Sequence, residues 1–231
     1  MGQIRMTQTT SRDTQRGRGK SDKKPEIDKR ERAILAAERL FAREGYHGVS
    51  MRDIAKEAEV GLPLIVYHFE TKLGLYKSIF EYRKGLVEER LAQLEQISDF
   101  DQPDILLKIA MAWVSPIVMS YATPEGREYA QLVAREASDP QEATRGIVEE
   151  YYDPLAKAYI SALRRALPKA SEEYLCWSYL FAVGALVMGA FDHRIGRLSE
   201  NKIEETDVET KTKMLATFIS NGIGGGADQF K

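Results

Sequence analysis

Cysteine is almost missing from this chain of 231 residues: Cys176 stands alone. No intrachain disulfide can form, which excludes a stapled secreted scaffold and points to a reducing, cytoplasmic setting. Histidine is also scarce, with His47, His68 and His193 the complete set. No metal-ligand spacing links them, so neither a metal nor a cofactor is expected. No nucleophile–base pair stands out, so no catalytic residue is nominated. The glycines 222, 224, 225 and 226 follow no strand and open no helix, which rejects a phosphate loop and leaves a frayed tail. Positive charge is not in excess. The formal net charge is −2, which excludes a uniformly basic coat. The first residues hold no apolar stretch, which argues against a signal peptide. Long apolar runs are lacking apart from Tyr174 to Phe191, 18 residues without a charge. That length meets the lower limit for a membrane span. The run contains Cys176, Ser178, Gly184, Gly189 and two tyrosines, and no second span accompanies it. We read it as a protein-covered helix rather than a membrane helix, with Cys176 a buried small hydrophobe.

The charge that is present is unevenly placed. Residues 1–24 hold seven basic and two acidic side chains. Through Lys72 the count is 15 basic against 11 acidic, and beyond it 18 against 24. A basic front and an acidic back suit a polyanion at the front, although a solvated tail has the same signature. Residues 1–24 carry little to bury and read as a disordered basic tail.

From Glu26 onward the apolar residues take helical spacing. Ala33, Ile34, Ala37, Leu40 and Phe41 form one stripe, ending near Gly45. Two short helices follow. Ser50 and Asp53 have capping-box spacing before Ile54, Ala55 and Ala58. Gly61 permits a sharp turn, and Leu62–Phe69 forms the second short helix with Pro63 in its first turn. Thr71 can cap a long helix to about Gln96, with Tyr76, Phe80, Val87, Leu91 and Leu94 facing inward. Further helices are expected near 103–122, 124–138, 140–167, 171–197 and 205–221, with kinks or breaks at Pro116 and Pro154. No alternating pattern bounded by turns predicts a sheet. The fold class is therefore all-α.

Two short helices joined by a tight turn form the core of a helix-turn-helix. Such a unit places the N-terminal end of its second helix in the major groove, with phosphate contacts around it. Leu62, Pro63 and Leu64 occupy that end. Ser50, Arg52, Tyr67, His68 and Lys72 are placed for phosphates, and the helix starts at Ser50 and Thr71 add positive dipole ends. For His68, packing at the helix end is the plainer alternative.

The stretch Gly45-Tyr46-His47-Gly48-Val49-Ser50-Met51-Arg52-Asp53-Ile54-Ala55, then Val60, then Tyr67-His68-Phe69-Glu70-Thr71-Lys72 and Leu75-Tyr76, resembles the DNA-binding domain of the tetracycline-repressor (TetR) family over about residues 27–80. The resemblance implies an all-helical homodimer on a pseudo-palindromic operator, with a C-terminal half that pairs subunits and holds a small-molecule pocket. On that basis residues 25–72 are the helix-turn-helix domain and 73–231 the helical ligand-binding and dimerisation domain. Gly61 and Val66 depart from the family pattern. Leu62, Pro63 and Leu64 lack hydrogen-bonding side chains, so thymine methyls and DNA shape remain for them to read. The region Glu136–Leu163, with its Asp139-Pro140 break and Pro154, resembles relatives that sense small organic molecules.

In the back half the uncharged run needs cover on two sides. Ala182, Ala185 and Gly189 permit close helix approach, and Leu215, Phe218, Ile219 and Gly222 form a second stripe. A four-helix bundle from two subunits is expected, with an intrachain core helix the alternative. Trp113, Tyr129, Tyr152, Tyr159, Trp177 and Phe181 are the candidate lining of a pocket for an apolar or aromatic effector. His193 stands beside Asp192 as a further candidate for a ligand's polar group. The expected activity is a repressor that an unidentified effector releases from double-stranded DNA, transmitted through the helix 71–96. The alternative is a DNA-binding dimer without an effector. No membrane partner is expected.

Overall fold

A computed structural model describes residues 28–191, 194–203 and 207–231. The tail 1–24 and His193 lie outside these residues. Among the described residues every regular element is a helix.

The front unit has four helices. α1 (Lys29–Gly48) buries Ala33, Ile34, Ala37, Leu40 and Phe41, the stripe read from spacing. Its helical geometry breaks at Gly45, whose φ of 74° lies in the left-handed region that glycine tolerates. α2 (Met51–Glu57) and α3 (Leu62–Phe69) match the expected short helices. α4 (Lys72–Arg83) contributes Leu75, Tyr76, Ile79 and Phe80 to the same core, so the front core runs past residue 72. Arg83 ties α4 to α1 by donating two hydrogen bonds, of 2.8 and 2.6 Å, to the buried carboxylate of Glu38.

The single helix expected over 71–96 is two. α5 (Gly85–Glu95) follows α4 across Lys84. Lys84 keeps helical angles, but its N–H bonds the Glu81 carbonyl, tightening the turn just before the flexible Gly85.

The back half comprises α6 (Ile105–Ser120), α7 (Pro124–Ser138), α8 (Glu142–Arg145), α9 (Ile147–Tyr151), α10 (Asp153–Ala166), α11 (Glu172–Phe191), α12 (Ile195–Leu198) and α13 (Val208–Gly226). Its core gathers residues from α5, α6, α10, α11 and α13. The helix expected over 140–167 is three pieces. Gly146, at φ 66°, ends α8, and Pro154 opens α10, where its missing N–H leaves no bond unmade. Pro116 lies buried within α6 without ending it.

Two further expectations are corrected. The glycines 222–226 are the last turns of α13, not a frayed tail. Tyr174 donates to the Ile223 carbonyl at 2.7 Å, and its ring stacks on Phe230 at 5.3 Å, pinning that end. Cys176 is half-buried rather than buried. α11 itself is two-sided. Leu175, Ser178, Ala182 and Leu186 point inward, while Trp177, Leu180, Phe181 and Met188 are exposed. An intrachain core helix, the alternative reading, is thereby excluded. No single helix among the described residues is long and apolar enough to cross a membrane.

Candidate nucleic-acid interface

The front unit is held together at its turns. Ser50 caps α2. Its hydroxyl oxygen accepts from the Asp53 N–H at 3.2 Å, and its own N–H donates to the Asp53 carboxylate at 2.9 Å. Hydrogen bonds from the Ser50 hydroxyl and N–H hold the Asp53 carboxyl below its ordinary pKa. The two donors orphaned at this helix start are thus satisfied reciprocally.

The turn into α3 does not use Gly61 as expected. Gly61 is extended at φ −69°, and the left-handed residue is Glu59 at φ 53°. The Val60 N–H reaches the Ala55 carbonyl at 3.0 Å and the Glu59 N–H reaches that of Lys56 at 3.2 Å, which is a Schellman closure. A residue with a Cβ there costs on the order of 1 kcal/mol. The turn out of α3 is tighter still. Glu70 has φ 62° and ψ −56°, and the Thr71 N–H bonds the Phe69 carbonyl at 2.6 Å, a strained γ-turn. Thr71 then caps α4 by accepting from the Gly74 N–H at 3.0 Å. A Cβ on Gly74 would lie 2.2 Å from the Phe69 carbonyl oxygen, so only glycine lets α4 start this close to α3.

These turns leave a defined set of side chains outward. Tyr67 is 79% exposed. Arg52, Pro63 and His68 are exposed, Leu64 is half-buried, and Leu62 partly packs against the core. Ser50 stands exposed at the start of α2. Lys72 is half-buried, its ammonium 4.5 Å from the Tyr46 ring centre and 5.9 Å from that of Phe41. Burial lowers its pKa.

Behind this surface, α7 joins the front unit to the back. Arg135 donates to the Arg43 carbonyl near the end of α1 at 3.0 Å. Tyr129 and Leu132 of α7 are members of the front core. Glu136 is almost fully buried. Its carboxylate accepts from the Tyr76 hydroxyl at 2.8 Å and from Arg145 Nε at 3.0 Å. Burial and the adjacent Glu136 push the Tyr76 phenol well above its ordinary range. The Arg145 guanidinium also pairs with Asp139 at 3.0 Å and lies 5.0 Å from the centre of the Tyr46 ring, the ring that carries Lys72. A continuous set of contacts therefore links Glu136 to Lys72.

Glu136 also lines a cavity of about 350 Å³. α5, α6, α7, α10 and α11 wall it, and most of its surface is apolar. Of the six aromatic residues nominated, Trp113, Tyr129 and Tyr152 line it. The Tyr129 and Tyr152 hydroxyls are 2.7 Å apart. Tyr159 sits behind Trp113, with ring centres 5.9 Å apart, and is not on the wall. Trp177 and Phe181 are corrected. They stack on each other at 5.6 Å on the outer face of α11, because helical spacing puts 177 and 181 opposite the buried 175, 178 and 182.

Sequence reasoning missed the cavity's charged residues. Arg90 lines it and is 4% exposed. The signal was there: Arg90 interrupts the inward stripe between Val87 and Leu94, at helical spacing. Tyr121 and Tyr179 line the cavity too. The Glu136–Arg145 pair is nine residues apart across a loop and carried no periodic mark.

Residues 33–79 match the model for bacterial regulatory proteins of the tetR family, and residues 111–222 that for the tetracyclin repressor-like C-terminal domain. The chain is 32% identical over 65 residues to the HTH-type transcriptional activator FasR of Mycolicibacterium smegmatis, a match to 28% of this chain and 30% of that protein. It is 23% identical over 179 residues to IcaR, the biofilm operon icaADBC HTH-type negative transcriptional regulator of Staphylococcus aureus, covering 73% of this chain and 88% of IcaR. Among solved structures, a TetR-like transcriptional regulator from Rhodococcus sp. RHA1 superposes with a TM-score of 0.58 at 20% identity, over 88% of this chain and all of that one.

Proposed function

Because the chain belongs to the tetR family of bacterial transcriptional regulators, with a helix-turn-helix that binds DNA, we propose that it is a repressor released from its operator by a small effector. On this reading α3 enters the major groove by its N-terminal end. Leu62, Pro63 and Leu64 meet base edges through apolar contact, while Ser50, Arg52, Tyr67, His68 and Lys72 contact the phosphate backbone. The name of IcaR, a negative regulator matched over most of this chain, supports repression. FasR, named an activator, is matched over only 28% of this chain.

A homodimer would set two recognition helices about 34–36 Å apart, one turn of DNA. The support is the outer face of α11 and α13, where Trp177, Phe181, Met188, Met214 and Phe218 are all at least half exposed. An apolar face of that kind seeks a partner, and an isologous pair of two helices from each subunit would cover it.

The observation that carries the effector reading is the double position of Glu136. One side of it faces the cavity, and its carboxylate holds Tyr76 of α4. An effector that shifts α7 would act on the reading head directly, in place of the route through a continuous helix 71–96. The size of the response would be set by the effector's differential affinity for the two arrangements. Fluorescence anisotropy tests the proposal, with DNA from upstream of the chain's own gene against a scrambled duplex across a salt series. Tight binding to the native duplex alone supports a sequence-specific regulator. Equal weak binding to both at every salt concentration would count against it.

A further inference from the structure

Arg90 is a cationic cavity residue that meets no carboxylate among the described residues. It lies on α5, almost fully buried, and among the described residues no carboxylate is within ion-pair distance of it. Its neighbours are rings. The guanidinium carbon is 5.4 Å from the Trp113 ring centre, and the phenols of Tyr159, Tyr179, Tyr152 and Tyr121 surround it. Burial disfavours the charged form and lowers its pKa. Arg90 Nε, Trp113 Nε1 and the Tyr159 hydroxyl are all buried without a hydrogen-bond partner. The Tyr159 hydroxyl stands near the guanidinium but makes no well-directed bond with it. Burial also keeps the four phenols protonated, so each can donate. Around Arg90 the cavity is thus rich in donors, and among the described residues no anionic acceptor pairs with it.

The acidic groups on the wall are engaged elsewhere or apart from Arg90. Glu136 is held by Tyr76 and Arg145, and Glu142 accepts from the Val148 N–H at 3.0 Å. Asp153 stands in the first turn of α10, where the helix dipole favours a negative charge. Apart from Ser120, whose hydroxyl donates to the Ile117 carbonyl, the remaining wall is apolar or aromatic. A buried cation without a counter-ion is costly, and it persists where something supplies the missing charge.

We propose that the cavity takes an organic monoanion, an apolar chain or ring bearing one carboxylate, and that Arg90 receives the carboxylate. The inference rests on the reading of this cavity as the effector site. Arg90 gives the planar fork that suits a carboxylate, the tyrosines add donors, and the apolar wall selects the body.

Titration calorimetry on the full chain tests this with matched probes: octanoate, octanol and octylamine, and their phenyl-terminated counterparts. The acids are expected to bind about 10- to 100-fold more tightly than the alcohols, the range for hydrogen bonds to a charged group. In Arg90→Met that preference should collapse, acid and alcohol then binding alike. The variant should melt no lower than the natural chain, since an unpaired buried charge is removed. If Arg90→Met does not fold, the acid–alcohol comparison on the natural chain decides alone. Equal binding of acid and alcohol, preference for the amine, or an acid preference that survives Arg90→Met would overturn the inference and leave the cavity as an effector site. Failure of every probe to bind would overturn both.

Discussion

The front unit and the back half solve the problem of holding helices together in different ways. In the front, α1 to α4 share one core with residues of α7 and α9, and both connections around α3 are fixed by backbone hydrogen bonds: the Schellman closure at Glu59 and the γ-turn at Glu70. In the back, longer helices enclose a cavity of about 350 Å³, and buried charges stand inside it or on its wall. A reading head needs fixed positions for a few outward side chains, so its turns are over-determined. A binding domain needs room, and room lowers packing density. The front spends strain on geometry, whereas the back leaves a void and a buried guanidinium that meets no carboxylate among the described residues. What joins them is α7, which packs in the front core through Tyr129 and Leu132 and lines the cavity through Glu136.

The contrast can be broken most severely at Glu136. Glu136→Ala leaves the buried Arg145 with only Asp139 and takes the acceptor from Tyr76. Loss of one partner of a buried pair costs about 3–5 kcal/mol, so urea denaturation should show a loss near that size. A loss under about 1 kcal/mol, the range of exposed pairs, would show that the junction is not a buried network. In the front, Gly74→Ala forces a Cβ against the Phe69 carbonyl oxygen. Overpacking of this kind costs about 1–3 kcal/mol, and specific DNA binding should fall with it, since α3 must move. Unchanged melting temperature and operator affinity would mean the two helices can separate freely.

Lys72→Ala sharpens the distinction between stability and binding. We expect weaker binding to operator and random DNA alike, with the salt slope flattened by about one unit. An unchanged slope would assign Lys72 to packing on Tyr46 alone. The smallest effect is expected at Glu59. Glu59→Gly relieves a left-handed residue, so thermal unfolding should show a gain of about 0.5–1 kcal/mol with DNA affinity unchanged. A loss of stability would mean that the Glu59 side chain makes a contact that outweighs the strain.

Much of the front was legible before any coordinates. The cap at Ser50, the cap at Thr71 and the extent Leu62–Phe69 follow from side-chain chemistry within four residues along the chain, so local rules suffice. The turn itself misled. Glycine at 61 reads as the residue that permits the sharp turn, but the closing hydrogen bonds put the left-handed residue at Glu59. In the back, helices were recognised and the break at Pro154 was expected, while the other breaks were not. Gly146 and the tight turn at Lys84 divide segments whose apolar periodicity runs on undisturbed.

The aromatic residues show the limit most clearly. Trp113 and Trp177 carry the same chemistry in similar apolar settings, yet one lines the cavity and the other lies half exposed on the outer face of α11. The periodicity of one helix tells which residues share a face; it does not tell which face the neighbouring helices take. The sequence by itself determined an all-helical chain and a capped helix-turn-helix, because those depend on neighbours in the chain. The tertiary structure alone decided where the cavity lies, that Arg90 is buried there with no carboxylate beside it among the described residues, and that Glu136 touches both the cavity and Tyr76. Those facts depend on helices far apart in sequence coming together, and no local pattern encodes that packing.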